Sequence, residues 1–232
     1  MIKNKNILIT GNTSGIGLEL NKLLTNTNTI FGISKSSSKI KNEIQIKIDI
    51  ENLNLLKKKI KKINFNKKID YLILNAGILG KIKKIEKVSI KEFIQILKIN
   101  FLSNKILIDE LIKKKIVIKN IIAISSGAAK SSKDGWVLYC TSKAAFYQLI
   151  NTYTLEYKKI KFVNLAPGLA KTKMQDQIYN VKDKNIESVK KFQDLYRSNK
   201  ISSPELIATK IINFLGNLKE IDSGSFIDLR EY

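Results

Sequence analysis

The sequence predicts an α/β fold: a doubly wound parallel sheet flanked by helices, in a single domain spanning residues 1–232. Three observations predict it. Short apolar runs alternate with amphipathic, helix-length stretches along the whole chain. The first apolar run passes directly into a glycine-rich turn and then a helical pattern, the order that gives such a turn meaning. At 232 residues, with no internal repeat and no linker-like segment, the chain is of a size to bury one core.

Lys5 to Thr10 reads as a short buried strand running into Gly11-Asn12-Thr13-Ser14-Gly15-Ile16-Gly17. Ile16, Leu20, Leu23 and Leu24 then fall on one side of a helix. Glycines let a backbone approach a pyrophosphate, and a helix N-terminus offers free N–H groups and a favourable dipole. The turn as a whole is a candidate phosphate site; a plain tight turn is the competing reading. Thr29 to Ser34 is the second strand. A carboxylate just beyond it would favour a free ribose 2′-hydroxyl. The chain instead has Ser34-Lys35-Ser36-Ser37, a cation and hydroxyls suited to a 2′-phosphate, so NADP(H) is expected over NAD(H), although lysine is frequent everywhere in this chain.

Ile44 to Ile48 alternates as a third strand ending at Asp49, whose carboxylate would accept from an adenine amino group. Leu53 to Ile63 is an amphipathic helix. Tyr71 to Leu74 is a strand that breaks at Asn75-Ala76-Gly77, where Asn75 would bridge neighbouring backbones and Gly77 would admit a cofactor. Ser89 to Leu111 has helical periodicity with Asn100 in its interior, a poor helix residue whose amide is expected to serve elsewhere. Ile121 to Ser126 is a fifth strand, Trp136 to Tyr157 a long helix, and Phe162 to Ala166 a sixth strand followed by Pro167-Gly168 and Thr172. Residues 172–203 read as a polar, irregular substrate loop with a helix near Ile186 to Tyr196. Ser203-Pro204-Glu205 opens another helix, with Pro in its first turn. Ser225 to Leu229 closes the chain as a strand.

Composition excludes several chemistries. The chain has no histidine, so Ser-His-Asp and Cys-His nucleophilic sites and His-ligated metals are ruled out. One cysteine, Cys140, leaves no internal disulfide and no Cys-rich metal site; no metal is expected. The net charge of +22 raises nucleic acid as a partner, but the cations are lysines apart from Arg197 and Arg230. Phosphate and base recognition favours arginine interleaved with aromatics. Runs such as Lys57-Lys58-Lys59 and Lys113-Lys114-Lys115 sit in helix-like segments as solvated faces, so no nucleic-acid role is expected. No apolar run approaches the about 18–20 residues of a membrane span, and nothing resembles an export signal, so a cytoplasmic location follows.

Within the long helix, Tyr139 and Lys143 stand four residues apart, on one face. An ammonium beside a phenol favours phenolate and would lower a pKa that is ordinarily about 10, making the pair usable for proton transfer. By itself this spacing is common on solvated helices.

Taken with Thr10-Gly11 to Gly15-Ile16-Gly17, Asn75-Ala76-Gly77, Asn100, Ser126 and Pro167-Gly168 to Thr172, the Tyr139–Lys143 segment resembles the short-chain dehydrogenase/reductase family across essentially the whole chain. The resemblance implies a Rossmann-type nucleotide-binding fold and a set of roles. Tyr139 would protonate a carbonyl oxygen as hydride arrives from the nicotinamide, and Lys143 would lower its pKa and hold the ribose. Ser126, thirteen residues before Tyr139, would orient the carbonyl, and Asn100 would anchor a water. Gly11, Ser14, Ile16 and Gly17 would surround the pyrophosphate, Thr172 would hold the carboxamide, Asp49 the adenine and Asn75 the adenosine ribose. Leu74 departs from the family, which often has a second Asn there.

Tyr139-Cys140-Thr141-Ser142-Lys143, Ala166-Pro167-Gly168 to Gln175 and Ser223-Gly224 to Asp228 further resemble sepiapterin reductases and bacterial benzil reductases, both NADPH enzymes. Asp228 would then anchor substrate; a strand-end Asp bonding locally is the equal alternative. The expectation is a cytoplasmic NADPH-dependent carbonyl reductase acting on a ketone or α-diketone of a small molecule. Another reductase of the family, acting on a 3-oxoacyl or sugar-like ketone, and a catalytically idle NADP-binding protein are the competing readings. The resemblance also implies a homodimer or homotetramer assembled through Ser89–Leu111 and Trp136–Tyr157.

Overall fold

The computed structural model describes residues 2–65, 67–183, 185–198 and 200–232. Among these lie the strands β1 (Asn6–Thr10), β2 (Thr29–Ser34), β3 (Glu43–Lys47), β4 (Lys68–Leu74), β5 (Val117–Ile124), β6 (Lys161–Ala166) and β7 (Phe226–Asp228). They form one sheet in the order β3-β2-β1-β4-β5-β6-β7, with every pair parallel. The order reverses between β1 and β4, the place where a doubly wound sheet opens a crevice at its carboxyl edge. The expected fold class is the observed one.

The helices are α1 (Gly15–Thr25), α2 (Leu53–Lys62), α3 (Ile90–Leu97), α4 (Ser103–Lys113), α5 (Val137–Glu156), α6 (Lys173–Tyr179), α7 (Glu187–Arg197) and α8 (Pro204–Gly216). Successive strand side chains point to opposite faces, and both faces are covered. Leu8, Leu72, Ile121 and Phe162 pack against Leu56 of α2, Leu107 of α4 and Phe146 of α5. Their neighbours Ile7, Ile73, Ile122 and Val163 pack against Leu20 of α1 and Ile211 of α8. No described helix is long and apolar enough to cross a membrane.

Three differences from the sequence reading have physical causes. β4 begins at Lys68 and β5 at Val117, ahead of the apolar runs, because Lys68 and Val117 already pair backbone to backbone and Ile69 and Ile118 are buried in the core. The stretch from Ser89 to Leu111 is not one α-helix: α3 and α4 are joined by a single π turn, Lys98–Leu102. The substrate loop holds a helix that was not expected, α6, besides α7.

Candidate active site

The carboxyl ends of β1, β4, β5 and β6 open into one cavity of about 1370 Å³. It runs from the glycine-rich turn past Asn75, Gly77, Ser126, Tyr139 and Lys143 to Pro167, Thr172 and Asp228.

At one end the turn is shaped by left-handed glycines, Gly11 at φ +70° and Gly15 at φ +54°. Gly17 is fixed by contact: a Cβ there would stand 2.2 Å from the Gly11 carbonyl oxygen and 2.4 Å from Asn75 Nδ2. Thr10 holds the crevice together from below, its Oγ1 accepting from the amides of Asn75 and Ala76 at 3.0 Å each. Asn75 Nδ2 donates back to the carbonyls of Thr10 and Gly11 at 3.0 and 3.3 Å. Asn75 thus bridges β4 to β1, with its amide nitrogen committed to backbone. Ser14 caps α1 without a side-chain hydrogen bond, and the helix opens onto the cavity. This turn, with free helix N–H groups facing the cavity, fits a dinucleotide pyrophosphate.

Beyond β2 the side chains expected around the adenosine are engaged with one another. Lys35 is exposed, and its Nζ pairs with Asp49 Oδ2 at 2.7 Å. The hydrogen bond from Lys35 holds the Asp49 carboxyl below its ordinary range, and the same contact raises the Lys35 ammonium. Ser34 is buried; its hydroxyl donates to the Ser36 carbonyl at 2.6 Å and accepts from Gln45 Nε2 at 2.8 Å. Lys35 and the exposed Ser36 and Ser37 are therefore the groups at this end that face solvent.

At the other end Asn100 sits in the π turn, buried. Its Oδ1 accepts from the Ile78 amide at 2.8 Å, and its Nδ2 donates to the Ile78 carbonyl at 2.8 Å and to Ser142 Oγ at 3.0 Å. The wider turn releases Asn100 from helical stacking and delivers its amide to Ile78 in the loop that follows β4. A Cβ on Gly77 would lie 3.3 Å from Asn100 Oδ1 and 3.9 Å from Lys143 Nζ, so Asn100 and Lys143 flank the same glycine.

Tyr139 and Lys143 share the buried face of α5, as their spacing implies. Ser126 follows β5, and its Oγ accepts from the Ala128 amide at 3.1 Å. That leaves its hydroxyl proton for the Tyr139 phenol, which it pulls toward a lower pKa. Burial pulls harder: the phenol is pushed up to about 12, and the Lys143 ammonium down to about 8. The expectation that Lys143 lowers the phenol's pKa is therefore corrected for this state of the protein. Its Nζ lies 5.7 Å from the Tyr139 ring centroid and spends a hydrogen bond on the Ile124 carbonyl at 2.7 Å. Burial is the main cause of both shifts. The Tyr139 phenol consequently holds its proton through neutral pH, the form that donates.

An apolar patch adjoins the phenol. Trp136 meets the Tyr139 ring edge-on at 6.1 Å between centroids and packs on Phe192 of α7 at 4.8 Å. Leu79, Ala128 and Ile178 complete the cluster, with Met174 against it. Two clasps hold α6 and α7 over it. The Asp134 carboxylate accepts from the amides of Glu187 and Ser188 at 2.7 and 2.9 Å, capping α7 from 53 residues away, and Gln177 Nε2 donates to the Gly80 carbonyl at 2.6 Å. Thr172 leans onto the glycine-rich turn, where a Cβ on Gly15 would lie 3.1 Å from its Cγ2. Asp228 lines the cavity, but its carboxylate is clasped by the Arg230 guanidinium, which holds it below its ordinary pKa. The local-bonding reading describes its contacts here.

Sequence reasoning missed Ser142, Thr10, Trp136, Phe192 and Asp134. Ser142 and Thr10 had a signal, each lying beside a residue already singled out. The described residues contain no cluster of potential metal ligands.

The family model of the short chain dehydrogenases matches residues 5–183. A benzil reductase ((S)-benzoin forming) of Bacillus cereus is 32% identical over 247 residues, covering 97% of this chain and 99% of that protein. A 3-oxoacyl-[acyl-carrier-protein] reductase of Rickettsia prowazekii is 32% identical over 187 residues, covering 76% of this chain and 77% of its own length. The crystal structure of a short chain dehydrogenase/reductase from Saccharomyces cerevisiae superposes with a TM-score of 0.81 at 26% identity, covering 97% of this chain and 96% of that one.

Proposed function

The chain belongs to the short-chain dehydrogenase family, and from that membership we propose an NADPH-dependent carbonyl reductase that reduces a ketone or α-diketone on a small, cyclic or aromatic molecule. The family and its reductase relatives make it an NAD(P)-dependent oxidoreductase acting on a carbonyl/alcohol pair. One observation carries the finer reading: Ser126, Tyr139 and Lys143 converge at one end of a single cavity whose other end is the glycine-rich turn, with Asn100 beside Gly77 of its wall.

A nicotinamide dinucleotide bound there supplies the hydride. Gly11, Ser14, Ile16 and Gly17 would hold its pyrophosphate, Asp49 and Asn75 its adenosine, and Thr172 its carboxamide. Lys35, with Ser34 behind it, would face a 2′-phosphate after exchanging its ion pair with Asp49. The protein's part is proton supply and orientation. Tyr139 donates its retained proton to the substrate oxygen, Ser126 orients that oxygen, and Lys143 with Asn100 supports the face from which the proton is replaced. The Trp136–Phe192 patch beside the phenol suits a flat apolar substituent. Asp228, if released by Arg230, would reach a polar group at the far side.

We hold the chain to act in the cytoplasm as a homodimer or homotetramer. The outer faces of α3 and α5, with exposed Ile90, Ile94 and Leu155, support assembly. A second reading, reduction of a 3-oxoacyl thioester, is favoured by the Rickettsia relative.

The test is NADPH oxidation, followed by absorbance, with benzil, sepiapterin and a 3-oxoacyl thioester, and NADH in parallel. Turnover of the diketone or the pterin with NADPH is expected. Turnover of only the thioester selects the second reading. Tight cofactor binding without turnover of any ketone would make the protein an idle binder, and failure to bind either cofactor would sink the proposal.

A further inference from the structure

Behind the cavity wall lies a chain of buried and half-buried polar side chains, of which the proposed chemistry uses only the last, Ser34. Asn12, directly after the first glycine of the turn, is fully buried. Its side chain crosses β2 at Gly32, where a Cβ would stand 2.1 Å from Asn12 Nδ2. From there Nδ2 donates to Gln45 Oε1 on β3 at 2.9 Å and to Glu43 Oε2 at 3.3 Å. Asn21 of α1, also fully buried, donates to the same Glu43 oxygen. Gln45 passes the contact on, its Nε2 donating to Ser34 Oγ at 2.8 Å, which in turn donates to the Ser36 carbonyl at 2.6 Å. A continuous path of hydrogen bonds thus joins the glycine-rich turn, by way of Gln45 on β3, to the Ser34–Ser36 turn at the edge of the cavity.

Stability does not account for this path. Asn12 Oδ1 and Glu43 Oε1 are buried without a partner, and unmatched acceptors in a low-dielectric interior are a cost. Apolar side chains over Gly32 would pack without it. What the path does achieve is directional. Gln45 is a donor toward Ser34, so the Ser34 proton must point to the Ser36 carbonyl, and the backbone that presents Lys35 is held in one arrangement.

We propose that Gln45 and Asn12 are positioning residues for cofactor discrimination, fixing the Ser34–Ser36 turn so that Lys35 and the Ser36 and Ser37 groups meet a ribose 2′-phosphate. This rests on the reading of the cavity as an NADP site. Neither residue touches the cofactor; both act through Ser34. A ligand lacking the 2′-phosphate is insensitive to the turn, because its pyrophosphate is held by the glycines.

Three measurements on the full chain test it. In Gln45→Met, close in volume but without either hydrogen bond, NADPH Kd by fluorescence titration rises about tenfold while NADH Kd stays within about twofold, the loss expected for one hydrogen bond's worth of positioning. Ser34→Ala gives the same split, and the double variant is no worse than either single one, since both cut the same path. Amide hydrogen exchange at Lys35, Ser36 and Ser37 rises in the cofactor-free variant while β1 and β4 keep their protection.

A parallel loss of both cofactors would assign the path to folding alone and overturn the proposal, as would unchanged exchange in the turn. Additive effects of the two variants would overturn the route through Ser34. If the wild-type protein binds neither cofactor, the NADP reading itself falls and takes discrimination with it. The exchange result would then still report whether Gln45 orders the turn.

Discussion

The ammonium of Lys143 donates to the main-chain carbonyl of Ile124 at 2.7 Å rather than to the phenol of Tyr139 one turn away on α5. The carbonyl belongs to the last residue of β5, so α5 is pinned to the strand that leads into Ser125 and Ser126. A buried cation with one carbonyl partner is costly, and its pKa falls to about 8 from an ordinary 10.5. Between those values the unfolded chain binds a proton that the folded chain has shed, so stability rises with pH across that window. The span amounts to on the order of 3 kcal/mol. Lys143→Met should remove the rise, and urea unfolding of the cofactor-free protein from about pH 7 to 10 measures it. Tyr139 works the other way: raised to about 12, it loses stability for the fold as pH climbs from its ordinary 10.0 to that value.

Tyr139→Phe keeps the ring against Trp136 and removes only the hydroxyl. Reduction should fall by roughly 100-fold or more, the scale of a lost general acid, while NADPH Kd stays within about twofold. Steady-state kinetics beside a cofactor titration separate the two, and surviving activity would mean that another group supplies the proton.

The Asn100–Ser142 contact offers a graded test of the π turn. Ser142→Ala removes one buried partner and should cost about 1 kcal/mol of stability. Asn100→Ala strips three hydrogen bonds and leaves the Ile78 amide and carbonyl unpaired, so a loss of roughly 3 kcal/mol is expected, with a lower kcat. Urea unfolding of both variants reads the difference.

Two glycines should respond in opposite directions. Gly17→Ala drives a methyl into the Gly11 carbonyl, and cofactor binding should be lost with a sharp drop in Tm. Gly216→Ala, at the end of α8 where a Cβ meets nothing within 4 Å, should raise stability by about 0.5 kcal/mol.

Asp134→Ala cuts both caps from the first turn of α7. The carbonyl substrate's KM should rise several-fold while NADPH Kd is unchanged, because α7 lies over the Trp136 patch and not over the glycine-rich turn. The carboxyl's pKa is lowered in the folded state, so its support is present above its ordinary 3.8 and fades as pH falls through the lowered value. A weakened NADPH would show that the clasp reaches the whole cavity.

Much of this was legible in the chain because the signals are local. The strand–Gly11-to-Gly17–helix order, the Asn75-Ala76-Gly77 break and the Tyr139–Lys143 spacing each depend on neighbours within about one turn or one loop. What escaped depends on partners far away. Asp134 meets Glu187 across 53 residues, and neither position advertises the other. α6 buries only Gln175 and Ile178, too few apolar positions for a period to show. The direction of the Tyr139 shift depends on burial, which no spacing reports. Lys35 and Asp49 were each given a part of the cofactor, and only the folded chain shows that they hold each other.

The π turn at Lys98–Leu102 also sets the phase of everything after it. An α-helix advances about 100° per residue, so one residue of slack rotates α4 by that angle relative to a regular continuation of α3. Leu107, Ile108 and Leu111 of α4 are buried at the phase that this slack sets. Substitution in this segment is a local matter, whereas deleting a single residue from it would turn the apolar stripe of α4 toward solvent. Insertions and deletions should therefore be excluded from this short stretch of the rod more strictly than amino-acid changes are.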